Sequence, residues 1–114
     1  MPNQLEQEMN ESSSFSKPRV PLEQMIVNTI VKRARPNKII VFGSRARTDA
    51  QERSDYDVAI DDQELTSAIL AQIRADMESL PTLLDIDLVW MNRAAAPLRQ
   101  RILDEGRVLY GQQD

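Results

Sequence analysis

Apolar and polar positions along the chain alternate between two rhythms, and the change of rhythm marks the elements. Residues 1–18, MPNQLEQEMNESSSFSKP, are polar, serine-rich and poor in large apolar side chains. They predict a mobile tail, because they bury too little surface to offset the entropy of ordering. A single folded domain is expected over 19–111. Pro21 suits the first position of a helix, and Leu22, Met25, Ile26, Thr29 and Ile30 then fall on one helical face until Pro36 closes it. KIIVF, ending at Phe42, is a short β-branched run of the kind buried on both faces of a sheet. DYDVAI predicts a second strand. Asp61 and Glu64 have the spacing of a capping box, ahead of a helix with Leu65, Ile69, Ile73, Met77 and Leu80 on one stripe and Pro81 at its end. LLDIDLVWM predicts a third strand. A last helix follows Pro97, with Leu98 and Ile102 inward and Gly106 as C-cap, and RVLY adds a final extended piece. The order α-β-β-α-β-α predicts an α/β (α+β) layer fold, a small mixed sheet covered by helices.

Composition narrows the chemistry. The 114 residues contain no cysteine and no histidine. Thiolate and imidazole nucleophiles, bases and metal ligands are therefore excluded, along with disulfides. Catalysis would have to use carboxylates, hydroxyls, Arg or Lys, and a hard cation held by oxygen. A net charge of −4 argues against stable nucleic-acid binding, which needs clustered cations to neutralise phosphates. No apolar run approaches the roughly 18–20 residues of a membrane span, and no export signal opens the chain, so a cytoplasmic protein without membrane contact is expected.

One stretch, VFGSRARTDAQERSDYDVAI, concentrates the candidate chemistry. The strand ending at Phe42 runs into Gly43 and Ser44, where a short helix is expected to begin. Glycine permits a sharp turn, and free amides at a helix start face an anion. The Ser44 hydroxyl, Arg45 and Arg47 could add to such a phosphate site. Taken alone, a Gly-Ser turn serves packing equally well. Asp55 and Asp57, two apart on a strand, share a face and repel unless a cation lies between them. Oxygen ligands suit Mg²⁺, whereas an exposed edge strand with two solvated aspartates is the plain alternative. Asp85 and Asp87 alternate in the same way among Leu84, Ile86, Leu88, Val89 and Trp90. If the third strand adjoins the second, one of this pair can complete a three-carboxylate cluster; otherwise it pairs with an arginine across the sheet.

Gly43-Ser44, ten residues and then Asp55-x-Asp57 together resemble the motif of DNA polymerase β-like nucleotidyltransferases. DIDLVW is similar to the strand that carries their third aspartate, and LRQRILDEGRVLY to their last helix and strand. Over residues 20–110 the resemblance is to the minimal nucleotidyltransferase (MNT) antitoxins of the HEPN–MNT toxin–antitoxin class. It implies two Mg²⁺ ions held by Asp55, Asp57 and Asp87, of which Asp87 matches the "DLV" position and Asp85 is peripheral. It further implies ATP as substrate, with Gly43, Ser44 and Arg47 on the triphosphate. Many members carry glycine where this chain has Thr48, whose Cβ restricts the turn.

Three functions are expected on these grounds. The first is an AMP-transferring antitoxin that modifies a tyrosine of a HEPN ribonuclease toxin within a hetero-oligomer. The second is an antitoxin that neutralises the toxin by binding. The third is transfer to a small hydroxylated molecule, for which this chain has no additional helical domain to shape an acceptor pocket.

Overall fold

The computed structural model describes residues 21–47 and 55–111. The expected tail, the start of the domain and Thr48 lie outside the described residues. Helix α1 (Leu22–Val31) leads to strand β1 (Lys38–Phe42), a 3₁₀ turn (Gly43–Arg45), strand β2 (Tyr56–Asp61) and helix α2 (Ser67–Met77). Strand β3 (Ile86–Trp90), a second 3₁₀ turn (Met91–Arg93), helix α3 (Ala96–Glu105) and strand β4 (Arg107–Gly111) complete the order.

The four strands form one mixed sheet in the order β3-β2-β1-β4. β1 is antiparallel to both β2 and β4, while β2 and β3 run parallel through the α2 crossover. Alternation along the strands divides the core between the two faces. Ile39 and Val41 of β1 and Tyr56, Val58 and Ile60 of β2 pack with Ile26 and Ile30 of α1 and Ile73 of α2. Ile40, Phe42 and Ala59 face the other way, against Met91 and against Ile102 of α3. The two-faced burial of KIIVF is as read from the sequence. All four expected strands form, but β2 starts at Tyr56 and β3 at Ile86, so Asp55 and Asp85, expected within strands, stand just before them.

The helix boundaries differ from the expectation in instructive ways. Pro21 is the N-cap residue and not the first helical one, and α1 ends at Val31, well before Pro36. Asp61 is the last residue of β2, so it cannot cap α2. The cap is Thr66, whose side chain accepts from the Ile69 amide at 3.1 Å. Asp62 instead closes the preceding turn, its Oδ1 accepting from the Glu64 amide at 2.9 Å. Leu65 is buried ahead of the helix, and α2 stops at Met77, before Leu80 and Pro81. Gly106 does terminate α3, although with φ −72° it is not in the left-handed region. A Cβ there would collide with the Ile40 side chain and the Ile102 carbonyl; close packing, not turn geometry, requires the glycine.

Candidate active site

The strand register brings two predicted site residues, Asp57 and Asp87, side by side next to the end of β1. Phe42, the last residue of β1, is opposite Asp57 of β2, and Asp57 is opposite Asp87 of β3. Because Asp57 alternates with Tyr56 and Val58, its side chain lies on the α3 side of the sheet, and Asp87 shares that side with Val89. Asp57 is half-buried and Asp87 exposed. Burial, and then the negative charges of Asp87 and Asp55, push the Asp57 carboxyl above its usual range, while the Arg101 guanidinium pulls the other way. Such carboxylate oxygens are donors of the kind that suits a hard divalent cation.

Asp55 stands just before β2 and is exposed. Its Oδ1 accepts from the Asp85 amide at 3.2 Å, and the Tyr56 amide donates to the Asp85 carbonyl at 3.0 Å. Asp85 thus joins the mouth of the site through its backbone. Among the described residues no three carboxylates stand at metal-holding spacing.

Gly43 sits at φ 72°, and a Cβ there would come within 2.5 Å of Asp57 Oδ2. Both the turn and the nearby carboxylate demand glycine. A three-residue 3₁₀ turn takes the place of the helix expected from Ser44, closed by the Ala46 and Arg47 amides donating to the Gly43 and Ser44 carbonyls. The anion-binding argument therefore rests on the turn's backbone and the half-buried Ser44, without a helix dipole.

The arginines diverge. Arg45 lies over the Tyr56 ring, 4.7 Å from its centroid, on the sheet face away from Asp57. Arg47 reaches α3, its Nη1 3.3 Å from Glu105 Oε1. The same oxygen accepts from Arg101 Nε at 3.4 Å. Arg101 is the functional candidate that sequence reading missed. Its signal was present, since Leu98, Arg101, Ile102 and Glu105 share one face of α3 by helical spacing, but only the fold sets that face beside Asp57. A cleft of about 840 Å³ lined by Phe42, Asp57, Asp87, Val89 and Leu98 opens beside these residues, with Leu83 on its rim. Leu83 is fully exposed.

Residues 24–114 match the protein family described as Polymerase beta, Nucleotidyltransferase. No curated protein sequence matches. Among solved structures, the fold is similar to a chain of a toxin–antitoxin complex with AMP-PNP. The TM-score is 0.69 at 25% identity, over 80% of this chain and 74% of that one. It is similar to a chain of the MntA–HepT toxin–antitoxin, with TM-score 0.62 at 23% identity over 79% and 70%. A third similar structure is the complex of a tri-AMPylated Shewanella oneidensis HEPN toxin with MNT antitoxin, at TM-score 0.56 and 25% identity over 79% and 73%.

Proposed function

Because this chain belongs to the polymerase beta nucleotidyltransferase family, we propose that it is an MNT antitoxin that transfers AMP from ATP to a tyrosine of a HEPN-domain toxin. The observation that carries the reading is the register that sets Asp57 between Asp87 and the Gly43 turn. The similarity to toxin–antitoxin complexes, one with AMP-PNP and one with a tri-AMPylated toxin, supports the partner and the nucleotide.

Asp55, Asp57 and Asp87 would hold two Mg²⁺ ions, which would neutralise triphosphate charge and acidify the acceptor hydroxyl. The chain's own residues do the rest. Gly43 keeps the strip beside Asp57 free of side-chain bulk, so that a triphosphate can lie against the turn, and the Ser44 hydroxyl donates to it. Arg47, released from the exposed Glu105, adds charge. The acceptor oxygen bonds to the α-phosphorus as the bond to pyrophosphate breaks. Asp87, exposed on the edge strand, takes the hydroxyl proton. An AMP ester on the toxin then adds a bulky anion that obstructs RNA phosphate by charge and volume.

Intact mass of a co-purified HEPN toxin after incubation with this protein, ATP and Mg²⁺ tests the proposal. A gain of one or more AMP units, lost with Asp57→Asn, is expected. Suppressed ribonuclease activity at unchanged toxin mass would replace catalysis by neutralisation through binding. Neither effect would return the small-molecule acceptor.

A further inference from the structure

Behind the Gly43–Arg45 turn, on the face of the sheet opposite Asp57, four elements meet in one polar contact. Arg107, the first residue of β4, donates from Nη1 to Glu23 Oε1 at 3.1 Å and from Nη2 to Glu23 Oε2 at 2.8 Å. This is the two-pronged match of guanidinium to carboxylate. The same Nη2 reaches the carbonyl of Arg45 at 3.4 Å. Tyr56 donates its hydroxyl to Glu23 Oε2 at 3.3 Å, and its ring carries the Arg45 guanidinium. Glu23 belongs to the first turn of α1, and Val41 of β1 lies opposite Arg107. The contact therefore ties the backbone of the turn to α1, β2 and β4 together.

A surface ion pair needs no explanation, but the third bond of Arg107 falls on the one loop carbonyl directly after Ser44. We infer that Arg107, held by Glu23, is a positioning residue that fixes the Gly43–Arg45 backbone for the triphosphate from the far side of the sheet. The inference rests on the reading that this turn binds a nucleoside triphosphate. Ordering a loop before the ligand arrives removes that cost from binding, so the contact acts on nucleotide affinity, not on the chemistry of transfer. It also accounts for Arg45, which is turned away from the triphosphate and serves as an anchor through its stacking on Tyr56.

The experiment compares Mg²⁺–ATP binding by calorimetry, together with melting temperature, in wild type, Arg107→Gln and the exchanged pair Glu23→Arg/Arg107→Glu. The exchange restores an ion pair between α1 and β4 but places an acceptor, not a donor, against the Arg45 carbonyl. Expected for Arg107→Gln is about tenfold weaker ATP binding, with KM for ATP raised in parallel and kcat within about twofold. The exchanged pair is expected to regain melting temperature while ATP binding stays weak. Wild-type affinity in folded Arg107→Gln overturns the inference and leaves the nucleotide reading standing. So does recovery of affinity together with melting temperature in the exchanged pair. If the exchange does not recover stability, the affinity of Arg107→Gln decides. Wild type that binds no Mg²⁺–ATP overturns the nucleotide reading, and the inference with it.

Discussion

Gly43 and Asp57 constrain each other. An alanine at 43 meets a left-handed backbone, costing about 1–2 kcal/mol, and crowds Asp57 Oδ2 as well. Gly43→Ala is expected to lower the unfolding free energy by that amount and to weaken ATP binding, as read by urea unfolding and calorimetry. Asp57→Asn should act in the opposite direction on stability. Its carboxyl is held above the usual range by burial and by Asp87 and Asp55. The native state thus binds its proton more tightly than the unfolded chain, and ionised Asp57 costs stability at neutral pH. The variant should melt slightly higher than wild type without Mg²⁺, and added Mg²⁺ should raise the melting temperature of wild type but not of the variant. Equal Mg²⁺ responses in the two proteins would remove Asp57 from the metal site. Asp85 and Asp87 are separable in the same way. The contacts of Asp85 to Asp55 and Tyr56 use its backbone, so Asp85→Asn should retain most transfer activity, and Asp87→Asn should lose it.

At the scale of elements, α3 offers a buried core residue and α2 a cap whose loss can be measured. Ile102 is the fully buried side chain of α3, and Ile102→Ala should cost about 2–5 kcal/mol. Because α3 carries Arg101 and Glu105, transfer should weaken along with the chemical-denaturation midpoint. Helix α2 depends on its Thr66 cap. Thr66→Ala should cost about 1 kcal/mol, and Glu64→Ala much less, which separates the observed cap from the capping box that the sequence suggested. That error has a physical source: a capping residue must directly precede the first helical turn, but Asp61 is still paired with Lys38 in the sheet and the helix begins only at Ser67.

Across the whole molecule, the Glu23–Arg107 pair joins the first described helix to the last strand. The Arg107 guanidinium, by hydrogen bond and charge, holds the Glu23 carboxyl below its ordinary value of 4.5. A depressed carboxyl contributes stability that is complete above its unfolded value and lost as pH falls through the folded one. Urea midpoints measured downward from pH 4.5 should therefore fall more steeply for wild type than for Glu23→Gln. No described helix is long and apolar enough to cross a membrane.

The sequence alone determined the strands, the helical faces and the residue types available for catalysis. Period-two and period-3.6 burial are written locally, and a chain without histidine or cysteine leaves oxygen and guanidinium chemistry. The resemblance to the polymerase β-like motif joined Gly43-Ser44 with Asp55-x-Asp57, but the face-sharing expected of two strand aspartates does not apply, since Asp55 stands just before β2. Which of Asp85 and Asp87 meets Asp57 was not local. Position alone leaves Asp85 and Asp87 equivalent, and the parallel register of β3 on β2 sets Asp87, not Asp85, against Asp57. Tertiary structure also decided the fates of the arginines. Arg45, Arg47 and Arg107 are similar long cations with nothing local to assign their partners, whereas Arg101 has Glu105 four residues on along α3 and only its placement beside Asp57 is tertiary. Packing of α1 and α3 on opposite faces of the sheet sends Arg45 and Arg107 behind the turn to Tyr56 and Glu23, and Arg47 and Arg101 to Glu105 in front of it. A long side chain's partner depends on which faces the sheet brings within its reach, and that is settled only when the layers close.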